Sequence, residues 1–294
     1  MATAIISGFS VFINKYAVSV ANPYVFAWLK NTFVAIILVG IIVAWKDWKN
    51  LRALSFKNWL MLLAIGIIGG GIPFLMFFKG LSLITAAEGA FIHKTIFLFA
   101  SFLGMFFLGE KLTKKFFVAG LFLILGNILL LNNFHFTFGW GSTLVLGATI
   151  LWAIENTISR LAMREIPWRV VAWARMFFGS IFILGFLLAT NQTQLISELT
   201  TGQIGWTAIT ALLLLAYVLT WYRGLKEVRV GEATAILVLG APITTVLNLS
   251  AGKQIGWQES AAAGLIFLGA ISIIGVGDIW AYLKNKKEAI YVRA

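Results

Sequence analysis

The feature that most constrains this chain is a succession of ten apolar runs, each of roughly the 17–25 residues a helix needs to cross a bilayer, separated by short polar turns. They fall near Ala4 to Ser19, Tyr24 to Trp45, Trp59 to Phe78, Ala86 to Gly109, Phe116 to Leu131, Trp140 to Ile158, Val170 to Thr190, Ile204 to Tyr222, Ala233 to Ala251 and Ala261 to Leu283. Lipid offers no water to the backbone, so each run is expected to be an α-helix that pairs its N–H and C=O groups internally. With 60% hydrophobic and only 12% charged residues, the chain has too few polar side chains to clothe a soluble domain. The expected fold class is an all-α integral membrane protein with ten transmembrane helices. The first run has no basic stretch before it and no small-residue cleavage site after it, so it reads as a span rather than a removable leader.

Every second turn is basic: Lys46, Lys49, Arg52 and Lys57; Lys111, Lys114 and Lys115; Arg160, Arg164 and Arg169; Arg223, Lys226 and Arg229; then Lys284, Lys286, Lys287 and Arg293. The turns between hold little beyond Lys79 and Lys253. Basic loops stay on the cytoplasmic side, so the chain is expected to be a multi-pass plasma (inner) membrane protein with cytoplasmic N- and C-termini. The alternation accounts for the net charge of +12. Nucleic acid is not an expected partner, because binding it would need those residues gathered on one face. There are no cysteines, which excludes disulfides, thiol catalysis and Cys-ligated metals. No phosphate loop, zinc spacing or nucleophile elbow is present, so an enzyme is the weakest class and neither cofactor nor metal is expected.

The second half repeats the first. Ala27-Trp28-Leu29-Lys30 aligns with Ala172-Trp173-Ala174-Arg175 at an offset of 145 positions, which also relates Lys15 to Arg160 and Asn14 to Ser159. Lys79-Gly80-Leu81 aligns with Arg223-Gly224-Leu225, and Glu88 with Glu232, at an offset of 144. The predicted organisation is a first unit over 1–133, a second over 139–284 and a tail over 285–294. Each unit has five spans, an odd number, so the two enter the membrane in opposite senses, as in inverted-repeat transporters.

The run SGFSVFINKYAVSVANPYVFAWLKNTF, with Gly8, Lys15, Pro23 and Lys30, resembles the opening of the EamA family of the drug/metabolite transporter superfamily. Gly109-Glu110-Lys111-Leu112-Thr113, followed by a helix with Gly120, is similar to that family's turn after the fourth helix. Two positions depart from the pattern: Ser7 stands where the family usually has Trp, and Lys253-Gln254 where it often has an acidic residue. The resemblance implies a ten-helix alternating-access carrier for metabolites, often an exporter.

Ionisable groups at membrane depth are costly and are functional candidates by default. The fourth run carries Glu88, His93 and Lys94, with Lys94 expected to face a wet cavity. Ser7, Ser10 and Asn14 form one polar stripe on the first helix, matched by Trp152, Glu155 and Ser159 on the sixth. Glu155 is the expected proton-linked or gating carboxylate, with Arg175 and Lys94 as its candidate partners. The candidate cavity set is Asn14, Trp28, Lys30, His93, Lys94, Trp152, Glu155, Trp173, Arg175, Tyr217 and Tyr222. Coupling or gating candidates are Glu88, Glu155, Lys15 and Arg160. Gly70 and Pro73 in Gly69-Gly70-Gly71-Ile72-Pro73, and Pro242 in the ninth run, are hinge candidates, since Pro frees a carbonyl. The cationic excess favours an amino-acid-like or other anionic small-molecule substrate. The expected partners are that substrate and the lipid bilayer, with the oligomeric state left open and a monomer among the options. A flippase for lipid-linked substrates and a multidrug efflux carrier are the alternatives.

Overall fold

The computed structural model describes residues 1–19, 22–84, 86–111, 113–129, 139–250 and 256–274, and its described elements are helices. The first half comprises α1 (Ala2–Ser19), α2 (Pro23–Ala44), a short α3 (Trp48–Arg52), α4 (Phe56–Ile65), a π-helical segment (Gly66–Gly71), α5 (Ile72–Leu83), α6 (Ala86–Lys94), α7 (Ile96–Leu108) and α8 (Lys114–Leu129). The second comprises α9 (Trp140–Ala162), α10 (Trp168–Ala189), a short α11 (Gln194–Ser197), α12 (Thr201–Glu227), α13 (Val230–Leu237), α14 (Gly240–Ser250) and α15 (Trp257–Ile274). Among the described residues, five helices are long and apolar enough to cross a membrane: Pro23–Ala44, Phe56–Leu83, Phe91–Leu108, Trp168–Ala189 and Thr201–Glu227.

The distribution of side chains is that of a multi-pass membrane protein. Phe102, Phe106, Phe107 and Phe117 face outward, while Lys30, Lys94, Glu155 and Arg175 are buried. A contiguous apolar exterior around a polar interior suits lipid and would aggregate in water.

Three expected runs differ in detail. The third continues through a π-helical segment in place of a regular α-helix. Pro73 has no N–H to offer the carbonyl four residues back, which is Gly69, and the ladder loosens there. The fourth run breaks at Thr95 between α6 and α7, and the ninth at Val238-Leu239 between α13 and α14. The ninth break precedes Pro242, which sits in the first turn of α14, where a missing N–H costs nothing.

Partners exchange between the halves. The α5 segment packs on α9 and its counterpart α12 on α1; the π-helical segment packs on α10 and α12 on α2; α7 packs on α9 and α14 on α1. Across the middle, α2 lies against α10, and α8 against α15 at the periphery.

Candidate functional site

The glycines of the third helix bring three polar side chains onto one stretch of backbone. A Cβ on Gly69 would lie 2.3 Å from Cγ of Glu155, and one on Gly70 1.9 Å from the carbonyl oxygen of Arg175. Only glycine permits α9 and α10 to come this close. The carbonyls released by the π-helical segment are then taken up by side chains. Trp152 Nε1 donates to the Gly69 carbonyl at 2.9 Å, Arg175 Nε to the same oxygen at 3.2 Å, and Asn31 Nδ2 to the Gly70 carbonyl at 2.7 Å. Freed carbonyls at membrane depth need such donors.

Arg175 also faces Glu155, with Nη1 3.8 Å from Oε2. The other oxygen, Oε1, accepts from Ser159 Oγ and from the Tyr222 hydroxyl, both at 2.5 Å. Glu155 has no exposed surface. A buried carboxylate held by a guanidinium and two hydroxyls is compensated, whereas loss of one partner would strand a charge.

In front of this cluster lies a cavity of about 120 Å³. Both halves line it: Ser7, Ser10 and Asn14 from α1, Lys30 from α2, Phe74, Phe77 and Phe78 from α5, His93 and Ile96 flanking the Thr95 break, Trp152 and Asn156 from α9, Arg175 from α10, and Leu214, Tyr217 and Trp221 from α12. Lys30 Nζ donates to Asn14 Oδ1 at 2.9 Å and sits 5.0 Å from the centre of the Phe26 ring and 5.5 Å from that of Phe78. The His93 ring rests edge-on against Phe77 and Trp152, at 5.4 and 5.0 Å. Trp221 Nε1 donates to Asn156 Oδ1 at 3.1 Å.

Of the residues singled out in the sequence, Asn14, Lys30, His93, Trp152, Arg175 and Tyr217 lie on the cavity wall. Glu155 and Tyr222 stand behind it and position Arg175. Lys94 is buried between helices rather than facing the cavity, donating at 3.3 Å both to Ser7 Oγ and to the Leu237 carbonyl at the end of α13. That carbonyl belongs to the negative end of a broken helix, which favours an ammonium there. Glu155 thus pairs with Arg175 and not with Lys94. Trp28 and Trp173 are half-buried in the core packing off the cavity. Glu88 accepts from Ser142 Oγ at 2.5 Å at the contact of α6 with α9, away from the cavity. Arg160 donates to the Lys226 carbonyl near the ends of α9 and α12. The Lys15 side chain, His135 and Lys253-Gln254 lie outside the described residues.

The sequence reading passed over the phenylalanines of α5, Asn156 and Trp221. Asn156 lies four residues after Trp152, and Trp221 four after Tyr217, so the helical spacing that selected the first of each pair also covers the second. The phenylalanines carry no comparable signal in a chain with 25 of them.

The turn after α7 touches the second half. Gly109 ends α7 with φ 68°, and Glu110 then accepts from the Val230 backbone N–H at 2.9 Å, capping α13. Arg229 Nη1 donates to the Lys111 carbonyl at 2.8 Å.

The chain is 23% identical over 298 residues to the uncharacterized transporter YyaM of Bacillus subtilis (strain 168), covering 96% of each protein. A solved crystal structure matches its fold with a TM-score of 0.68 at 18% identity, over 93% of this chain and 98% of that one. The model of the EamA-like transporter family matches twice, over residues 1–132 and 139–275, one match for each half around the cavity. With nearly its whole length matched in that duplicated pattern, the chain belongs to the EamA-like transporter family.

Proposed function

We propose that the protein is a secondary transporter that exports a small organic metabolite bearing an anionic group by alternating access. Its ten spans form two inverted five-helix units in the plasma membrane, with both termini cytoplasmic. The observation that carries this reading is the cavity, shared by both halves, with Lys30 and Arg175 on a wall of mixed aromatic and polar residues. Cations in a low-dielectric cleft concentrate anionic solutes. The exchanged packing of α5 and α12, and of α7 and α14, supports a two-fold relation between the units.

Contacts at one end support a gate. On the side of the basic turns, α7 packs on α13 and the Glu110 and Arg229 bonds tie the halves together. We take that end as the cytoplasmic gate. Glu155 is the proposed coupling carboxylate, since protonating it would release Arg175 toward the cavity.

Counterflow in proteoliposomes tests this. Vesicles loaded with unlabelled organic anions should accumulate labelled anion from outside, at rates that differ between two pH values; no counterflow with any carboxylate, amino acid or nucleotide would overturn the transport reading. Glu155→Gln should abolish the pH dependence while the variant remains folded. A pH dependence equal to that of the parent would remove Glu155 from the coupling step.

A further inference from the structure

The repeat makes the two cations of the cavity directly comparable. Lys30 and Arg175 are related by the offset of 145, and so are Ser10 and Glu155, and Asn14 and Ser159; Phe78 and Tyr222 are related by 144. On the second-half side these positions build an ion pair: Glu155 faces Arg175 through Oε2, and its Oε1 is held by Ser159 and Tyr222. On the first-half side the corresponding residues are Ser10, Asn14 and Phe78, with no carboxylate among them. Lys30 has one hydrogen-bond acceptor, Asn14 Oδ1, and its Nζ also lies near the rings of Phe26 and Phe78 on the cavity wall. An ammonium has three N–H donors, so two remain unspent. Ser10 Oγ, at the position equivalent to Glu155, is buried without a hydrogen-bond partner.

Most acceptors around the cavity are already engaged, the exceptions being the Ser10 hydroxyl and His93 Nδ1 on the wall and Glu155 Oε2 behind it. Asn14 Oδ1 is used by Lys30, Asn156 Oδ1 by Trp221, the Gly69 carbonyl by Trp152 and Arg175, and Glu155 Oε1 by Ser159 and Tyr222. A ligand ammonium placed here would meet mostly engaged acceptors and two like charges, Lys30 and Arg175. A ligand anion would meet free donors.

From this imbalance we infer that the ligand is an organic monoanion without an ammonium group, whose carboxylate lies between Lys30 and Ser10 and completes the ion pair that Glu155 makes on the other side. The inference rests on the transporter reading above only for the fate of the ligand, not for its chemistry. One charge suffices, because Glu155 already answers Arg175 and the end of α13 answers Lys94; a phosphate monoester would bring a charge of about −1.5 to −2. The body of the ligand is apolar and of the size of one ring. The cavity of about 120 Å³ is walled by Phe74, Phe77, Trp152 and Tyr217, and an apolar cavity of about 150 Å³ takes up benzene.

The test uses three probes with the same ring and different heads: 3-phenylpropanoate, phenylalanine and phenethylamine. Binding to the purified full-length chain in detergent is read from ligand-dependent shifts in melting temperature. 3-Phenylpropanoate is expected to bind at least tenfold more tightly than phenylalanine, and phenethylamine to give no shift. Lys30→Gln should weaken 3-phenylpropanoate binding at least tenfold. Ser10→Asp should abolish it by supplying a carboxylate where the ligand's would sit, with a ligand-free melting temperature no lower than that of the parent. Equal or tighter binding of phenylalanine, no binding of 3-phenylpropanoate, or undiminished binding by Lys30→Gln would overturn the inference. Counterflow with the same probes separates the two claims. Binding of 3-phenylpropanoate with no counterflow of any of the organic anions leaves the ligand class standing and overturns transport, whereas counterflow of phenylalanine in preference to 3-phenylpropanoate does the reverse.

Discussion

In α10 the guanidinium of Arg175 is flanked by the Glu155 carboxylate, whereas in α2 the ammonium of Lys30, at the same place in the repeat, is flanked by an amide and two phenyl rings. The third helix and its counterpart differ in a related way. The first-half segment is loosened at Gly66–Gly71 and offers backbone carbonyls to Trp152, Arg175 and Asn31. Its partner α12 runs unbroken from Thr201 to Glu227 and offers side chains, Tyr217 and Trp221 to the cavity and Tyr222 to Glu155. Duplication supplied two equivalent cation positions, and divergence then compensated one of them internally. The second-half cation has a carboxylate beside it, and the first-half cation has an amide and two rings.

This contrast can be broken experimentally, most forcefully at Arg175. Arg175→Met leaves Glu155 buried with only hydroxyl partners, and removing one member of a buried pair costs about 3–5 kcal/mol, so a large fall in melting temperature is expected. If that variant melted with the parent, the ion pair would have no structural role. Next comes Gly70→Ala, whose Cβ would lie 1.9 Å from the Arg175 carbonyl oxygen. Pushing α10 away should cost about 1–3 kcal/mol, and a neutral result would mean that the π-helical segment yields without resistance. Tyr222→Phe makes the second half resemble the first, where Phe78 stands at the equivalent position. It removes one hydrogen bond to a charged group, worth about 1.5–3 kcal/mol, and should lower the melting temperature by less than Arg175→Met. Smallest of all, Lys30→Met removes a buried cation with no carboxylate beside it, so relief of its desolvation offsets the lost bond to Asn14 and ligand-free stability should change less than in the other variants, while anion binding is lost. A penalty equal to that of Arg175→Met would erase the distinction between the halves.

Much of this architecture was legible in the chain. Apolar run lengths gave the helices, the offset of matched basic and aromatic residues gave the repeat, and the Gly-Gly-Gly-Ile-Pro run marked the loosened third helix. Ionisable residues in apolar surroundings marked most of the polar centre. What the pattern did not reveal was the side to which each polar group turns. Lys94 points to the Leu237 carbonyl rather than into the cavity, because the break between α13 and α14 exposes an acceptor 143 positions away in the chain. Trp28 and Trp173 share their helices with Lys30 and Arg175, yet they face core packing off the cavity.

The sequence by itself determined that this chain is helical, lives in a membrane and is built twice over, because burial of backbone polar groups in lipid and the internal repeat are properties of composition and spacing. Which cation is compensated and which is left open was decided only by the tertiary structure. Electrostatic compensation depends on distances between helices far apart in the chain, and Glu155, Ser159 and Tyr222 meet Arg175 only after α9, α10 and α12 have packed around Gly69 and Gly70.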